Sequence, residues 1–346
     1  MLMESFADCL LAYYDLKKRD LPWRRDPSPY QVWVSEIMLQ QTRIETVIPY
    51  YLAFLNLFPD ARSLAEASED EVLKAWEGLG YYSRAKNLRK GAQYLVEHFD
   101  GELPKEKKEL LKVPGIGEYT SSSIASIAFG KPEIALDGNL FRIYARVNAL
   151  KISYEETKAK KDALSFFKQN LSLSRPGDFN EALMELGETV CLPNGSPICK
   201  ECPLQSLCLA HQKGLETSFP LPRQKKERES VSLNVFLLCC KGSVLIRKRE
   251  NKGLLAHAYE FPNCPSEVSP SSFLKGIGIH EEPISLGQGK HVFSHLEWEM
   301  NWYRAELDKP SQVERMIWVR NADLKSVYML PKAFTNFCKK AAILGF

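Results

Sequence analysis

Residues 107–129 read KKELLKVPGIGEYTSSSIASIAF. Apolar spacing predicts a helix ending near Leu111 and another from about Tyr119 to Phe129, joined by Val113-Pro114-Gly115-Ile116-Gly117. Gly115 and Gly117 permit positive φ and close approach of another backbone, and the free N–H groups opening the second helix can bond a phosphate. Alone, the pentapeptide is an ordinary turn between two helices, so its surroundings decide. From Ser5 to about His211 apolar residues recur at three- and four-residue spacing, as in Val32 to Ile48, Leu64 to Trp76 and Ala85 to Phe99. The first two thirds of the chain therefore read as all-helical, with the glycine turn joining two of the helices.

Working outward, GLETSFPLPRQKKERE at 214–229 mixes Pro, Gly and charge without periodicity and reads as an exposed tether. Beyond it, Val231 to Cys240 and Ser243 to Arg249 flank a Lys241-Gly242 turn, and Leu296, Trp298, Met300 and Trp302 alternate on one face of a third strand. A helix from Lys332 to Leu344 closes a small α/β module. A length of 346 residues suits two or three domains, and 45% hydrophobic with 26% charged residues is ordinary globular composition. Apolar runs such as Val235 to Cys240 fall far short of the roughly 20 residues of a membrane span. Glu4 and Asp8 do not suit a signal peptide, so a cytoplasmic protein with no membrane partner is expected. A net charge of +3 predicts no polyanion partner by bulk charge, so any nucleic-acid surface must come from local donors.

Nine cysteines are present, and four of them, Cys191, Cys199, Cys202 and Cys208, are separated by only seven, two and five residues. Thiolates this close are a metal-site pattern, zinc or iron–sulfur. Two carboxylates stand out. Glu36 lies in a helical stretch among Trp33, Val34, Ile37 and Met38, where it is either on a wet face or desolvated with a raised pKa fit for a general acid. Asp137, in Leu136-Asp137-Gly138-Asn139 ahead of another apolar-periodic stretch, reads first as a helix N-cap. Two carboxylates in unlike settings suit glycosidic cleavage, one protonating the leaving group and the other stabilising oxocarbenium charge.

Leu21-Pro22-Trp23-Arg24, Ser35-Glu36-Ile37-Met38-Leu39-Gln40-Gln41-Thr42, Gly78-Leu79-Gly80-Tyr81-Tyr82-Ser83-Arg84, the Val113 to Gly117 turn, Leu136 to Asn139 and the four cysteines occur in the order found in helix-hairpin-helix DNA glycosylases. More narrowly, essentially the whole chain resembles the MutY-type adenine DNA glycosylases. The resemblance implies a multidomain protein. Residues 1–213 would be an all-α catalytic domain, with a six-helix barrel at about 29–132 and an iron–sulfur subdomain from 1–28 and 133–213. A linker at 214–229 and a Nudix-like domain at 230–346 would follow. It implies that a monomer flips adenine out of duplex DNA opposite 8-oxoguanine or guanine. Glu36 would protonate N7 and later activate water, Asp137 would stabilise the oxocarbenium ion or link transiently to C1′, and Tyr119 and Asn139 would assist. Arg24, Gln41, Thr42, Tyr81, Val113, Gly115 and Gly117 would contact DNA, with Gln41 and Tyr81 entering the duplex. The four cysteines would hold a 4Fe-4S cluster, although the family's first gap is six residues and here it is seven. Pro193, Gly195 and Pro197 are expected to absorb the extra one.

Bifunctional relatives carry a lysine after the hairpin as Schiff-base nucleophile, and Tyr119 stands there instead, so a monofunctional enzyme is expected. In the last third, Gly253-Leu254-Leu255-Ala256 and Tyr259-Glu260-Phe261-Pro262 resemble the family's Nudix-related domain, without the spaced glutamates of the hydrolase box. Phe293-Ser294-His295 matches the family's 8-oxoguanine-reading loop. Ser294 is the expected contact, because guanine N7 becomes a donor on oxidation and a hydroxyl can accept from it. A bifunctional lyase and a non-catalytic lesion-binding protein are the competing readings.

Overall fold

The computed structural model describes residues 5–222, 227–250, 253–256, 258–293, 295–328 and 330–340. The chain resolves into two compact units, Met1–Ala67 with Lys86–Gln224 and Ser68–Ala85 with Lys225–Phe346. Up to residue 222 the long elements are helices: α1 (Phe6–Lys17), α2 (Pro29–Leu39), α3 (Ile44–Leu57), α4 (Ala61–Glu66), α5 (Glu69–Ala75), α6 (Ser83–Phe99), α7 (Lys107–Leu110), α8 (Glu118–Phe129), α9 (Gly138–Val147), α10 (Thr157–Gln169), α11 (Pro176–Thr189) and α12 (Leu209–Gln212). Among the described residues no helix is long and apolar enough to cross a membrane.

Two apolar patterns that read as single helices are each divided. The Val32 to Ile48 pattern breaks after α2, where Gln41 takes a φ of 56°. The Leu64 to Trp76 pattern breaks where Ser68 forms a new capping box with Glu71 at the start of α5. Ser68–Ala85, expected in the helical domain, groups with the second unit. There Lys248 Nζ donates to Asp70 at 2.6 Å, and the Leu330 N–H donates to Glu77 at 3.2 Å. Apolar periodicity is blind to such polar contacts, which explains the difference.

In the first unit α2 packs against α3 and α8. Ser28 and Gln31 cap it reciprocally and Pro29 opens its first turn. Tyr30, Val32, Trp33, Val34, Ile37 and Met38 are all buried along it. A second core gathers Leu10, Tyr14, Phe141, Phe167, Phe179 and Leu183 from α1, α9, α10 and α11. Gly91 in α6 permits the glycine turn to seat, since a Cβ there would lie 2.8 Å from both the Pro114 carbonyl and the Trp33 ring. Overpacking of this kind costs about 1–3 kcal/mol.

The second unit carries a mixed sheet of β1 (Glu229–Cys240), β2 (Ser243–Lys248), β3 (Tyr259–Glu260), β4 (Asn263–Pro265), β5 (Ile284–Val292), β6 (Leu296–Glu306) and β7 (Met316–Arg320), with α13 (Pro270–Gly276), α14 (Asn321–Ser326) and α15 (Lys332–Lys340). Its path is β3-β2-β1-β6-β5, with β4 on β1 and β7 on β2. β1 runs parallel to β6 and is buried on both faces over its second half, which explains its unbroken apolar text. As the alternation predicted, Trp298, Met300 and Trp302 share a buried face, where Trp302 stacks on Phe337 at 4.3 Å. Residues 341–344 of the expected last helix lie outside the described residues.

Candidate active site

Eight residues into α2, Glu36 stands with only 6% of its surface exposed. Burial pushes its carboxyl up to about 7, the hydroxyls of Ser123 and Tyr119 oppose that shift, and the negative charge of Glu181 and Asp137 adds to it. Of the two settings open to Glu36 from the sequence, the desolvated one is correct. Gln40, one turn further on, donates to the Thr120 hydroxyl at 3.2 Å and ties the end of α2 to α8.

Asp137 is the N-cap of α9, as its position before an apolar stretch predicted, and Oδ1 accepts the Leu140 N–H at 2.8 Å. Its other oxygen accepts from Asn139 Nδ2 at 2.9 Å. Burial still raises this carboxyl, but the Leu140 and Asn139 bonds and the Arg142 cation hold against it. Capping and chemistry are thus compatible in one side chain. Tyr119, in the first turn of α8, has its phenol kept protonated by burial and then by the charges of Glu36 and Asp137, and its hydroxyl lies 3.7 Å from Met184 Sδ. Glu36, Tyr119, Asp137 and Asn139 therefore share one electrostatic environment within the first unit.

Several supporting residues left no signal in the sequence. Asn180 of α11 accepts the Ala135 N–H at 2.9 Å and donates to the carbonyls of Glu133 and Pro176, fixing the segment that leads to Asp137. Arg142 donates to Asn139 Oδ1 at 2.9 Å, to the Gly187 carbonyl at 2.7 Å and to the Cys191 carbonyl at 2.8 Å. It thus links the carboxylate pocket to the cysteine loop. Glu181 adds charge beside Glu36 and is tied to Tyr14 and Arg24 at 2.9 and 3.1 Å. Each of these is an ordinary polar residue on a helix until tertiary contact gives it a partner.

The residues expected at DNA differ in placement. Gly115 has a φ of 86°, Gly117 is the N-cap of α8, and neither N–H meets an acceptor among the described residues. Val113, between them and α7, is buried. Gln41 is exposed in left-handed backbone, and Thr42 turns its hydroxyl to the Gln40 carbonyl at 3.4 Å. In the second unit Tyr81 is 45% exposed with a φ of 48°, whereas Tyr82 is buried and its hydroxyl accepts the Gly78 N–H. Left-handed φ at two such side chains is the kind of strain that functional positions hold. Arg24 departs from expectation: its guanidinium is nearly buried and is spent on Glu181 and Glu185. An arginine so neutralised holds α11 and is not offered to a phosphate.

Cys191, Cys199, Cys202 and Cys208 all line one cavity with Arg146, His211 and Glu216. Ile198 N donates to the Val190 carbonyl at 2.9 Å and closes the 192–197 loop between the first two cysteines. Burial raises the Cys199 thiol to about 11, helped by Glu216 and the other thiols, and the Cys202 thiol to about 12, helped by the other thiols, while Arg146 Nη1 sits 3.2 Å from Cys191 Sγ. Four thiols lining one cavity are a donor set fit for an iron–sulfur cluster. In the second unit Phe293 packs on Trp298 at 5.0 Å and His295 is exposed between β5 and β6, while Ser294 lies outside the described residues.

Residues 34–169 match the family model of the HhH-GPD superfamily base excision DNA repair proteins, and residues 234–340 match that of the NUDIX domain. The chain is 34% identical to the adenine DNA glycosylase of Homo sapiens, covering 89% of this chain and 68% of that one. It is 32% identical to the enzyme of Schizosaccharomyces pombe over 97% and 89% of the two chains, and 33% identical to that of Buchnera aphidicola subsp. Baizongia pistaciae over 84% and 82%. A thermostable thymine-DNA glycosylase superposes with a TM-score of 0.56 at 26% identity, covering 60% of this chain and 95% of its own. Endonuclease III in a non-covalent DNA complex shares the fold at a TM-score of 0.51 and 21% identity, with 60% and 95% covered. Identity above 30% across both units, joined to a helix-hairpin-helix pocket with a buried acid and a capped carboxylate, places this chain in the adenine DNA glycosylase family, as a DNA N-glycosylase of base excision repair.

Proposed function

We propose that this enzyme hydrolyses the N-glycosidic bond of adenine paired with 8-oxoguanine, and with guanine, in duplex DNA, and that it does not cleave the strand. The observation that carries the reading is a pair of buried carboxyls with unlike partners. Glu36 keeps its proton up to about pH 7, and Asp137 is held by an N–H, an amide and a nearby guanidinium. With adenine flipped into the pocket, Glu36 gives its proton to N7 as the N9–C1′ bond breaks, so the bonding pair leaves with a neutral base. Asp137 faces the positive charge that develops at C1′. Water then adds to C1′ and returns a proton to the Glu36 carboxylate. The Tyr119 phenol, held protonated beside both groups, lacks the amine needed for an imine and β-elimination.

In this reading Gly115 and Gly117 hold a phosphate, Gln41 and Tyr81 enter the duplex, and Phe293, Ser294 and His295 meet the oxidised base. Cys191, Cys199, Cys202 and Cys208 would hold a 4Fe-4S cluster, which supplies a cross-link of the 191–208 loop and no redox step. The test is single-turnover release of adenine opposite 8-oxoguanine, guanine and thymine, with strand breaks scored before and after alkali. The expected order is 8-oxoguanine, then guanine, with none opposite thymine and breaks only after alkali. Breaks before alkali would restore the lyase reading, and no release from metal-loaded protein would favour a lesion-binding protein.

Gly187 offers a second check on the pocket. A Cβ there would fall 2.6 Å from the Asn139 Cβ. Gly187→Ala is expected to cost about 1–3 kcal/mol of stability through overpacking, and to slow base release more than it weakens duplex binding. Thermal melts and single-turnover rates read the two effects apart. An unchanged rate in a destabilised variant would show that the position of Asn139 does not matter.

A further inference from the structure

Beside the cysteine loop, His211 and Glu216 are not used by the reading above, and they converge on Cys199, which that reading gives to the cluster. Cys199, His211 and Glu216 are all partly buried, and one ligand atom from each lies within 4.8 Å of the others. The local backbone builds this convergence. Cys208 ends the cysteine run and opens α12, which carries His211. Gly214 N then bonds the His211 carbonyl at 3.0 Å and Leu215 N bonds the Ala210 carbonyl at 2.9 Å. With Gly214 at a φ of 65°, the chain folds back and returns Glu216 to the histidine. Glu216 Oε1 lies 2.5 Å from His211 Nδ1, and the Gln205 amide lies 3.0 Å from Nε2, so the ring is held on both sides.

We propose that Cys199, His211 and Glu216 form a mixed sulfur, nitrogen and oxygen site for a single zinc ion, which competes with the four-cysteine set for Cys199. One thiolate, one imidazole and one carboxylate are a donor set that suits zinc, whereas an iron–sulfur cluster draws on thiolates. Metal–ligand lengths of about 2.0–2.3 Å put tetrahedral neighbours about 3.3–3.6 Å apart, a spacing within the 4.8 Å that bounds the three ligand atoms now. The Cys199 thiol gives its proton to solvent on binding, and water completes the fourth position. A chain loaded this way has one of its four cluster thiolates already committed. The loop therefore holds either a cluster or a zinc ion, and zinc occupancy before cluster assembly would block the latter.

The test uses the full chain made in iron-limited, zinc-supplemented medium, with metal content measured per chain and zinc affinity by chelator competition. Cobalt(II) exchanged for zinc reports the number of sulfur ligands through its charge-transfer band. The expected result is one zinc per chain, a band of one-thiolate size, and at least tenfold weaker zinc binding in His211→Ala and in Glu216→Gln, on the scale of losing a group that supports a metal. Both variants are expected to take up iron and sulfide with the visible spectrum of the parent. Cys191→Ser, which leaves the trio intact, is expected to lose the cluster and keep the zinc. A cobalt band of three or four thiolates, unchanged zinc affinity in both variants, or loss of zinc in Cys191→Ser would each overturn the proposal.

Discussion

Replacing Glu36 by glutamine is expected to reduce single-turnover adenine release by about 10²- to 10⁴-fold, the usual contribution of a positioned general acid. Duplex binding should survive, because glutamine keeps the shape of the side chain and loses only the transferable proton. The parent enzyme should show the pH signature of that proton: a rate that is flat below about pH 7 and falls tenfold per unit above it. The variant should lack this limb. Stability runs the other way. A carboxyl whose folded pKa is raised is neutral in both states below the unfolded value near 4.5, and it costs stability as pH rises through the folded value near 7. The substitution should leave melting at pH 4 unchanged and stabilise the protein by about 3 kcal/mol at pH 8, the size of that shift. Matched melts at the two pH values check this. Unchanged release would remove Glu36 as the acid, and equal melting at pH 8 would mean that its burial carries no cost.

Asp137→Asn is expected to cost about 10²- to 10³-fold in release, the scale of removing one electrostatic partner from a developing charge. The fold should tolerate it. Asparagine is as good an N-cap as aspartate, so the bond to the Leu140 N–H can persist. One amide oxygen must then serve where two carboxylate oxygens serve now, and the Asn139 bond is the one at risk. The expected loss of stability is about 1 kcal/mol, the net worth of one such bond. A rate loss with near-parental melting separates catalysis from capping. A rate that stays within tenfold of the parent would leave Asp137 as a cap alone.

Much of this molecule is legible in its text because the relevant forces are local. The turn at 113–117 follows from two glycines between apolar-periodic stretches, and the cap at Asp137 from its place before one. The second half of β1 shows continuous burial as continuous apolar text. The divided helices show where local reading stops. A shared apolar period survives the break between α2 and α3, because the two helices pack against each other, and the break itself rests on a left-handed Gln41. Arg24 fails for a different reason. An arginine in the loop before α2 looks available for phosphate until Glu181 and Glu185, about 160 residues later, neutralise it.

What the sequence determined by itself was the set of parts: a helical unit with a glycine turn, a thiol cluster, a carboxylate in apolar text, a capped carboxylate and a sheet-bearing unit. These follow from periodicity, spacing and residue chemistry, which act over a few residues. What only the tertiary structure decided was the state of the parts. Desolvation of Glu36 arises where α3 and α8 pack against α2. The link from Asp137 through Asn139 and Arg142 to Cys191 exists only where α9 meets α11. Burial and long-range pairing are properties of the packed chain, and a carboxyl, an amide or a guanidinium has no pKa or partner of its own until packing supplies the neighbours.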